Sequence, residues 1–306
     1  MINIGIIGAT GYTGVELIRL LLKHPSSHLS VVTSNSESGK LLSEVFPSLR
    51  GETELRFVKH DSPETKNCDL VFFATPHATS MYSIPALLES RIKVIDLSAD
   101  YRIKEPDVWQ KWYGVEHASP ELLKAAVYGL PELNREQIRK ASLIANPGCY
   151  PTAIILGLIP ALKSGLIDPA SIIIDAKSGY SGAGRKASQQ GLYSEVAENF
   201  NAYGLSGHRH LPEILQMLNV VSDIDVEVTF VPHLLPINRG MLATIYAKQN
   251  NQSDIQASYL QYYGNEPFVD VMPLGSQPDT RSTRGSTICR IALYPEHKSH
   301  RLDILL

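Results

Sequence analysis

The sequence has little cysteine, no long apolar run and no excess of either charge. Its three cysteines, at positions 68, 149 and 289, cannot all pair, and their spacing matches neither a zinc site nor a disulfide ladder. A disulfide-stapled mini-protein is excluded, and a reducing compartment, the cytoplasm, is the expected location. No apolar stretch approaches the length that crosses a bilayer, and the first residues lack the pattern of a secretory signal, so no membrane role is expected. With 28 basic against 31 acidic side chains the net charge is −3, which leaves no broad positive field for nucleic acid or an anionic membrane. Any anionic ligand must be recognised locally. What is present is ordinary: 306 residues, 43% hydrophobic and 19% charged, enough for one large or two average globular domains.

Strands and helices alternate in the first half. Residues 2 to 7 form a short apolar run that ends in a glycine cluster, which predicts a strand buried on both faces. From Thr13 the positions Val15, Ile18, Leu21 and Leu22 share one helical face, and His24-Pro25 ends the pattern. Further strands are predicted at 29–33, 69–74 and 92–97, with a helix near 79–90, so the expectation is βαβ units and a parallel sheet. Around Asn146 to Thr152 a glycine and two prolines lead into the apolar stretch 153–162, and the domain boundary is placed there, giving 1–147 and 148–306. Strands expected at 172–177, 226–231, 241–247 and 286–293 come mostly without a crossover helix, so antiparallel pairing with helices on one face is predicted. The apolar end Arg301 to Leu306 reads as one more strand. The fold class is therefore α/β, a Rossmann-type parallel-sheet domain followed by an α+β domain.

Gly8-Ala9-Thr10-Gly11-Tyr12-Thr13-Gly14 lies between the first strand and the first helix, where backbone N–H groups and a helix N-terminus can hold a dinucleotide's pyrophosphate. The spacing departs from G-x-G-x-x-G, but the strand-to-helix context is the required one. An NAD site usually ends its second strand with an acidic residue for the ribose diol; here the residues are Thr33-Ser34-Asn35-Ser36. Small polar groups with Lys40 nearby favour NADP, while Glu37 keeps a diol contact open.

Asn146-Pro147-Gly148-Cys149-Tyr150-Pro151-Thr152 places one cysteine just ahead of a predicted helix, a position that stabilises thiolate. Cys68 and Cys289 sit beside or inside strand patterns and read as structural. Gly207-His208-Arg209-His210-Leu211-Pro212-Glu213 offers two imidazoles near neutral pKa for acid–base work. Metal binding is not expected, because His-x-His lacks further ligands in any recognisable spacing. Three segments suit an anion: Asp96 to Arg102, which follows a predicted strand at its carboxyl end, and Lys177 to Arg185 and Arg281 to Ser286, which mix cations, hydroxyls and glycine.

Together these residues resemble the N-acetyl-gamma-glutamyl-phosphate reductases of arginine biosynthesis. The resemblance covers essentially the whole chain. It rests on Gly8-Ala-Thr-Gly-Tyr-Thr-Gly14, Phe73-Ala-Thr-Pro-His77, Asp96-Leu-Ser-Ala-Asp-Tyr-Arg102, Tyr128-Gly-Leu-Pro-Glu-Leu-Asn134, Asn146-Pro-Gly-Cys-Tyr-Pro-Thr152, Ser178-Gly-Tyr-Ser-Gly-Ala-Gly184, Gly207-His-Arg-His-Leu-Pro-Glu213 and Pro232-His-Leu-Leu-Pro-Ile-Asn-Arg-Gly240. It implies a second domain like that of glyceraldehyde-3-phosphate dehydrogenase, and NADP(H)-dependent reduction of a small-molecule acyl phosphate through a thioester on Cys149. His208 is the first choice as acid and base and His210 the second, with Glu213 orienting the imidazole. The cofactor contacts implied are Gly8, Thr10, Gly11, Tyr12, Thr13, Gly14, Ser34, Ser36, Ala74, Pro76, Ser178 and Gly179. The substrate contacts implied are Ser98, Arg102, Arg185 and Arg209. A homo-oligomer is expected.

Aspartate-semialdehyde dehydrogenases are similar in chemistry, but their cysteine motif is Asn-Cys-Ser/Thr where this chain has Gly148-Cys149-Tyr150-Pro151. Members of the resembled family continue past the position matching Leu306 into a segment of the type Asp-Asn-Leu-x-Lys-Gly-Ala-Ala-Gly-Gln. The expectation is that its loss exposes a strand edge and loosens the positioning that hydride transfer requires. That keeps a second class open, a nucleotide-binding remnant or regulator, beside a reductase of a different amino-acid substrate. An epimerase sharing only the glycine loop would need a Tyr-x-x-x-Lys pair after a Rossmann strand, which the sequence does not show.

Overall fold

The computed structural model describes residues 1–251, 253–296 and 300–306. They divide into two compact units, Met1–Pro147 and Gly148–Leu306. The first is a seven-stranded sheet built from β1 (Ile2–Ile7), β2 (Ser27–Thr33), β3 (Phe57–Val58), β4 (Leu70–Phe73), β5 (Lys93–Asp96), β6 (Val127–Tyr128) and β7 (Leu143–Ala145). The order is β3-β2-β1-β4-β5-β7-β6, and every pair is parallel. Helices α1 (Tyr12–Leu21), α2 (Leu42–Val45), α3 (Ile84–Glu89), α4 (Pro106–Tyr113) and α5 (Pro131–Lys140) make the connections. The near-continuous apolar runs of the central strands follow from burial on both faces. In β1 the side chains Ile4 and Ile6 enter one apolar cluster with Ile18 and Leu21 of α1, and Ile7 enters another with Val71, Phe73 and Trp109. Full burial of a side chain such as Ile18 contributes about 1.5–3 kcal/mol.

In this unit the chain leaves β1 for β2 on one side and reaches β4 on the other, so the carboxyl ends of β1 and β4 flank the crevice where the strand order reverses. Open α/β sheets bind ligands at that place. The helix expected near 79–90 is split, with a 3₁₀ turn at Ser80–Tyr82 before α3.

The second unit starts with α6 (Cys149–Lys163) and continues through β8 (Ile172–Gly179), α7 (Tyr193–Val196), β9 (Asn201–Ala202), α8 (Leu211–Ser222), β10 (Val228–Leu235), β11 (Met241–Lys248), α9 (Ile255–Tyr263), β12 (Val269–Val271), β13 (Cys289–Glu296) and β14 (Arg301–Leu305). Its sheet order is β12-β13-β14-β11-β8-β10-β9. Pairing is antiparallel at four of the six contacts, and the prediction of antiparallel pairing is corrected at β8–β10 and β12–β13, which run parallel. The reason at β8–β10 is the long connection carrying α8, which returns the chain to the same end of the sheet. The terminal strand β14 lies between β11 and β13 and is not a sheet edge.

Helix α6 is apolar all round, with Ile154, Ile155, Leu158 and Ile159 fully buried, as expected for a helix at the centre of a unit. Its interior Pro160 has no N–H, so the carbonyl of Leu156 loses its helical donor. The Tyr263 hydroxyl of α9 donates to that carbonyl at 2.5 Å, and the Tyr259 hydroxyl donates to Gly157 O at 2.5 Å.

Candidate active site

The glycine loop leaves β1 through Gly8, whose φ of +83° is left-handed and whose missing side chain admits Ala74 O, 2.9 Å from where a Cβ would stand. At Gly14 a Cβ would collide with the Ala9 carbonyl oxygen at 2.4 Å, so this glycine serves the packing of helix on strand. Gly11 is the N-cap of α1, and nothing lies within 4 Å of the position a Cβ would take. The first turn of α1 holds no acidic residue. A helix start with no side-chain cap and no first-turn carboxylate, with open space at Gly11, fits a pyrophosphate.

Thr10, exposed Tyr12 and exposed Thr13 line the same turn, and Ala74 and exposed Pro76 follow the end of β4 beside it. The strand end is held from below: Thr33 Oγ1 accepts the Gly8 N–H at 3.3 Å and bonds His60 Nδ1 at 2.6 Å. Ser34 is buried and bonds the exposed Ser36 hydroxyl at 3.3 Å while accepting the Glu37 N–H. Glu37 and Lys40, the two rival ribose ligands of the sequence, pair with each other at 2.8 Å.

The Asp96 to Arg102 segment is an interior scaffold. Ser80 Oγ lies 2.9 Å from both Asp96 Oδ2 and Asp100 Oδ2, and Ser98 Oγ donates to Asp96 at 2.8 Å. Asp100 accepts the N–H groups of Ala78, Thr79 and Met81, and so fixes the left-handed turn at Ala78, φ +58°, just after Pro76 and His77. Burial, with the Asp100 charge second, pushes the Asp96 carboxyl up to about 6. Ser98, named above as a substrate contact, is 1% exposed, and its hydroxyl bonds inside this cluster. Arg102 is likewise buried and donates to Leu97 O and Asn146 O, which makes it a strut between β5 and the segment leading to Cys149.

Within the second unit, Cys149 is exposed and begins α6. Its N-cap is Gly148, whose N–H donates to Glu213 Oε1 at 2.8 Å. Glu213 is 1% exposed and stands in the first turn of α8, where Pro212 and an acidic residue suit a helix start, so one carboxylate joins two helix N-termini. The His210 ring packs on Gly148: an added Cβ there would stand 2.5 Å from Nε2.

His208 is placed differently. Its ring meets those of Tyr150, Tyr203 and Phe230 edge-on at 5.8, 5.5 and 5.5 Å, and Nδ1 accepts the His210 N–H at 3.1 Å. Burial, helped by the Arg209 charge, pushes its pKa down to about 4, so it is neutral at physiological pH. The two rings thus have different settings, His210 against Gly148 and His208 inside an aromatic box. Tyr150 and Tyr203, which box His208 and bond each other, come together from positions 53 residues apart, a pairing that local sequence patterns do not announce.

Arg209 and Arg185 are exposed. Ser178 and Gly179 are buried, and a Cβ on Gly179 would meet the Ile237 and Asn238 carbonyl oxygens at 2.8 Å, so both shape the turn that leads to Arg185. Lys177 is paired with Asp175 at 2.8 Å. Among the described residues no cluster of metal-ligating side chains exists. No helix among them is long and apolar enough to cross a membrane.

Comparison with known proteins gives consistent results. Residues 3–141 match the family model described as semialdehyde dehydrogenase, NAD binding domain, and residues 149–305 match semialdehyde dehydrogenase, dimerisation domain. The chain is 54% identical over 294 residues to the N-acetyl-gamma-glutamyl-phosphate reductase of Nitrosospira multiformis, covering 96% of this chain and 86% of that protein. It is also 54% identical to the enzyme of that name from Nitrosococcus oceani, over 100% of this chain and 89% of the other. Among solved structures, aspartate semialdehyde dehydrogenase II from Vibrio cholerae superposes with a TM-score of 0.74 at 15% identity, covering 100% of this chain and 92% of that one. Aspartate semialdehyde dehydrogenase with NADP from Candida albicans gives a TM-score of 0.71 at 14% identity, covering 100% and 93%. At such identity these two share the fold.

Proposed function

The chain belongs to the family of N-acetyl-gamma-glutamyl-phosphate reductases, and from that premise we propose that it reduces N-acetyl-L-glutamyl 5-phosphate to the 5-semialdehyde and phosphate, with NADPH, in arginine biosynthesis. The observation that carries the reading is the exposed Cys149 at the first turn of α6 with the His210 ring against Gly148. Residues 1–147 hold the cofactor through Gly8, Thr10, Gly11, Tyr12, Thr13, Gly14 and Ser36, and residues 148–306 carry the acyl chemistry.

The helix N-terminus favours negative charge on Cys149 Sγ. The thiolate forms a C–S bond to the acyl carbon, the C–O bond to phosphate breaks, and a thioester remains. NADPH, when bound, supplies the hydride that takes this carbon to the aldehyde level. His210 gives a proton to the resulting oxyanion and takes it back as the C–S bond breaks, which releases the semialdehyde and restores the thiolate. Glu213 holds the turn that aims Cys149, His208 supports the His210 backbone, and the exposed Arg185 and Arg209 attract the phosphate and carboxylate.

We place the enzyme in the cytoplasm, where a nucleophilic thiol stays reduced, and assign it a homo-oligomeric state through the sheet of the second unit. The direct test is Cys149→Ser assayed by reduced-nicotinamide absorbance with semialdehyde, phosphate and NADP. Activity should fall by at least about a thousandfold, as for loss of a covalent nucleophile. Substantial turnover by the serine variant would remove the thioester from the mechanism.

A further inference from the structure

His60 takes no part in the chemistry above, yet the fold sets it where a dinucleotide's adenosine would lie. Strands β2 and β3 pair in register up to Thr33 and Val58, their last residues, so His60 stands two residues past the carboxyl end of the edge strand. Open α/β sheets bind their ligands outside those ends, and the residues after the second strand meet the adenine ribose. The two strand exits are tied together. Ser34 N–H donates to Val58 O at 2.8 Å, Gly39 N–H to Phe57 O at 2.7 Å, and His60 N–H to Asn35 Oδ1 at 3.1 Å. These bonds bring His60 beside the turn that carries Ser34 and Ser36.

The ring is oriented from within. Thr33 is fully buried, and its Oγ1 accepts the Gly8 N–H at 3.3 Å and lies 2.6 Å from His60 Nδ1. Among the described residues the hydroxyl proton of Thr33 has one acceptor, that Nδ1. The opposite assignment, an Nδ1–H donating to Thr33, would leave this proton buried and unpaired. His60 is thus the tautomer with its proton on Nε2. Burial lowers its pKa below the ordinary 6.5, against the pull of the Asp61 charge, so the ring is neutral near neutral pH and Nε2 offers one N–H. Since Nδ1 points at the buried Thr33, Nε2 on the far side of the ring points away from it, and among the described residues this N–H has no protein acceptor.

We propose that His60 is a cofactor-binding residue whose Nε2–H donates to a phosphate oxygen on the 2′ position of the adenine ribose, beside the hydroxyls of Ser34 and Ser36. The inference rests on the reading of the chain as an NADP-linked reductase and names a group that reads the phosphate. A free 2′-hydroxyl offers Nε2–H a neutral acceptor, whereas a phosphate offers an anionic one, and hydrogen bonds to charged groups are about twice as strong. Lys40, the cation that the sequence places here, is shared with Glu37 at 2.8 Å, which leaves a neutral donor room to contribute. Thr33 joins the two ends of the cofactor site, because the oxygen that receives the Gly8 N–H of the glycine loop also holds the His60 ring.

Binding to the whole chain, measured by isothermal titration calorimetry, tests this apart from turnover. The probes are adenosine 2′,5′-bisphosphate and adenosine 5′-monophosphate, which differ by the 2′-phosphate alone, with NADPH and NADH as the complete pair. The wild type should hold the 2′-phosphorylated member of each pair at least about tenfold more tightly. His60→Leu should cut that margin about fivefold or more, while the affinities for adenosine 5′-monophosphate and NADH change by less than about twofold, which also shows that the site is folded. His60→Gln, whose side-chain amide can still donate, should recover part of the margin. If the wild type shows no margin, the NADP reading fails and this proposal with it. If the wild type shows the margin and His60→Leu keeps it, the proposal is overturned and the NADP reading stands. Equal losses for all four ligands in His60→Leu would make the residue structural and overturn the proposal as well.

Discussion

At the scale of single residues the two histidines separate by environment. His208 has its pKa pushed down to about 4, so the stability it lends as a neutral ring is fully present above the unfolded value of 6.5 and is lost as pH falls through about 4. It does not titrate in the range where the enzyme works, and His208→Phe should lower stability by about 1 kcal/mol through the lost bond to the His210 N–H while keeping the shape of the pH–rate profile. His210→Asn should lower kcat about a hundredfold or more and flatten that profile. A flattened profile in the His208 variant instead would exchange the two roles. Asp96 works in the opposite sense. Its carboxyl, normally near 3.8, is pushed up to about 6, so its contribution is fully present below 3.8 and is lost as pH rises through about 6, on the order of 3 kcal/mol. Asp96→Asn should remove that slope from urea unfolding measured between pH 4 and 7; an unchanged slope would place the titration elsewhere. Cys149 was legible in the sequence because glycine and proline on both sides announce an exposed helix start. The different settings of His208 and His210 were not, since they depend on a ring meeting Gly148 from far along the chain and on three aromatic rings gathered from α6, β10 and the residue following β9.

At the scale of elements, legibility followed length and burial. Strands β1, β2, β4 and β5 announce themselves as apolar runs, while β3 and β6, of two residues each, are too short to leave a period. The parallel pairing of β8 with β10 depends on where α8 lies in space, which periodicity does not report. Proline usually breaks a helix, yet α6 continues past Pro160, and Tyr263 supplies to Leu156 O the donor that the proline lacks. Tyr263→Phe leaves the Leu156 carbonyl buried and unpaired and should cost about 1–3 kcal/mol in urea unfolding. In a Pro160→Ala background, where a backbone N–H returns, the same change should cost clearly less. Equal costs in the two backgrounds would mean that the tyrosine acts through packing alone.

At the scale of the whole molecule, the sheet of the second unit has two unlike faces. Along β8 the side chains Ile172, Ile174 and Ala176 are buried, whereas Ile173, Asp175 and Lys177 point the other way and are exposed or half-buried. Strand register extends that second face into a row, Thr229, Ile173, Tyr246, Asp303 and Tyr294, running across five strands. Ile173 is 47% exposed in a strand that has neighbours on both sides. A central strand that shows isoleucine beside tyrosine on an open face suits a second copy of the same chain, whose matching face would cover both by two-fold symmetry. Sedimentation of the wild-type chain should give a dimer or a multiple of it, and Ile173→Asp should shift the mass towards the monomer at micromolar concentration. The alkylation rate of Cys149 should hardly change, because Ile173 projects from the face opposite the side chains that pack towards the interior. A monomeric wild-type chain, or an Ile173→Asp variant that assembles as before, would move the interface to another surface. If instead the variant loses its oligomer and its cooperative unfolding together, then burial of this face by a partner is part of what stabilises the second unit, and stability should rise with protein concentration in the wild type.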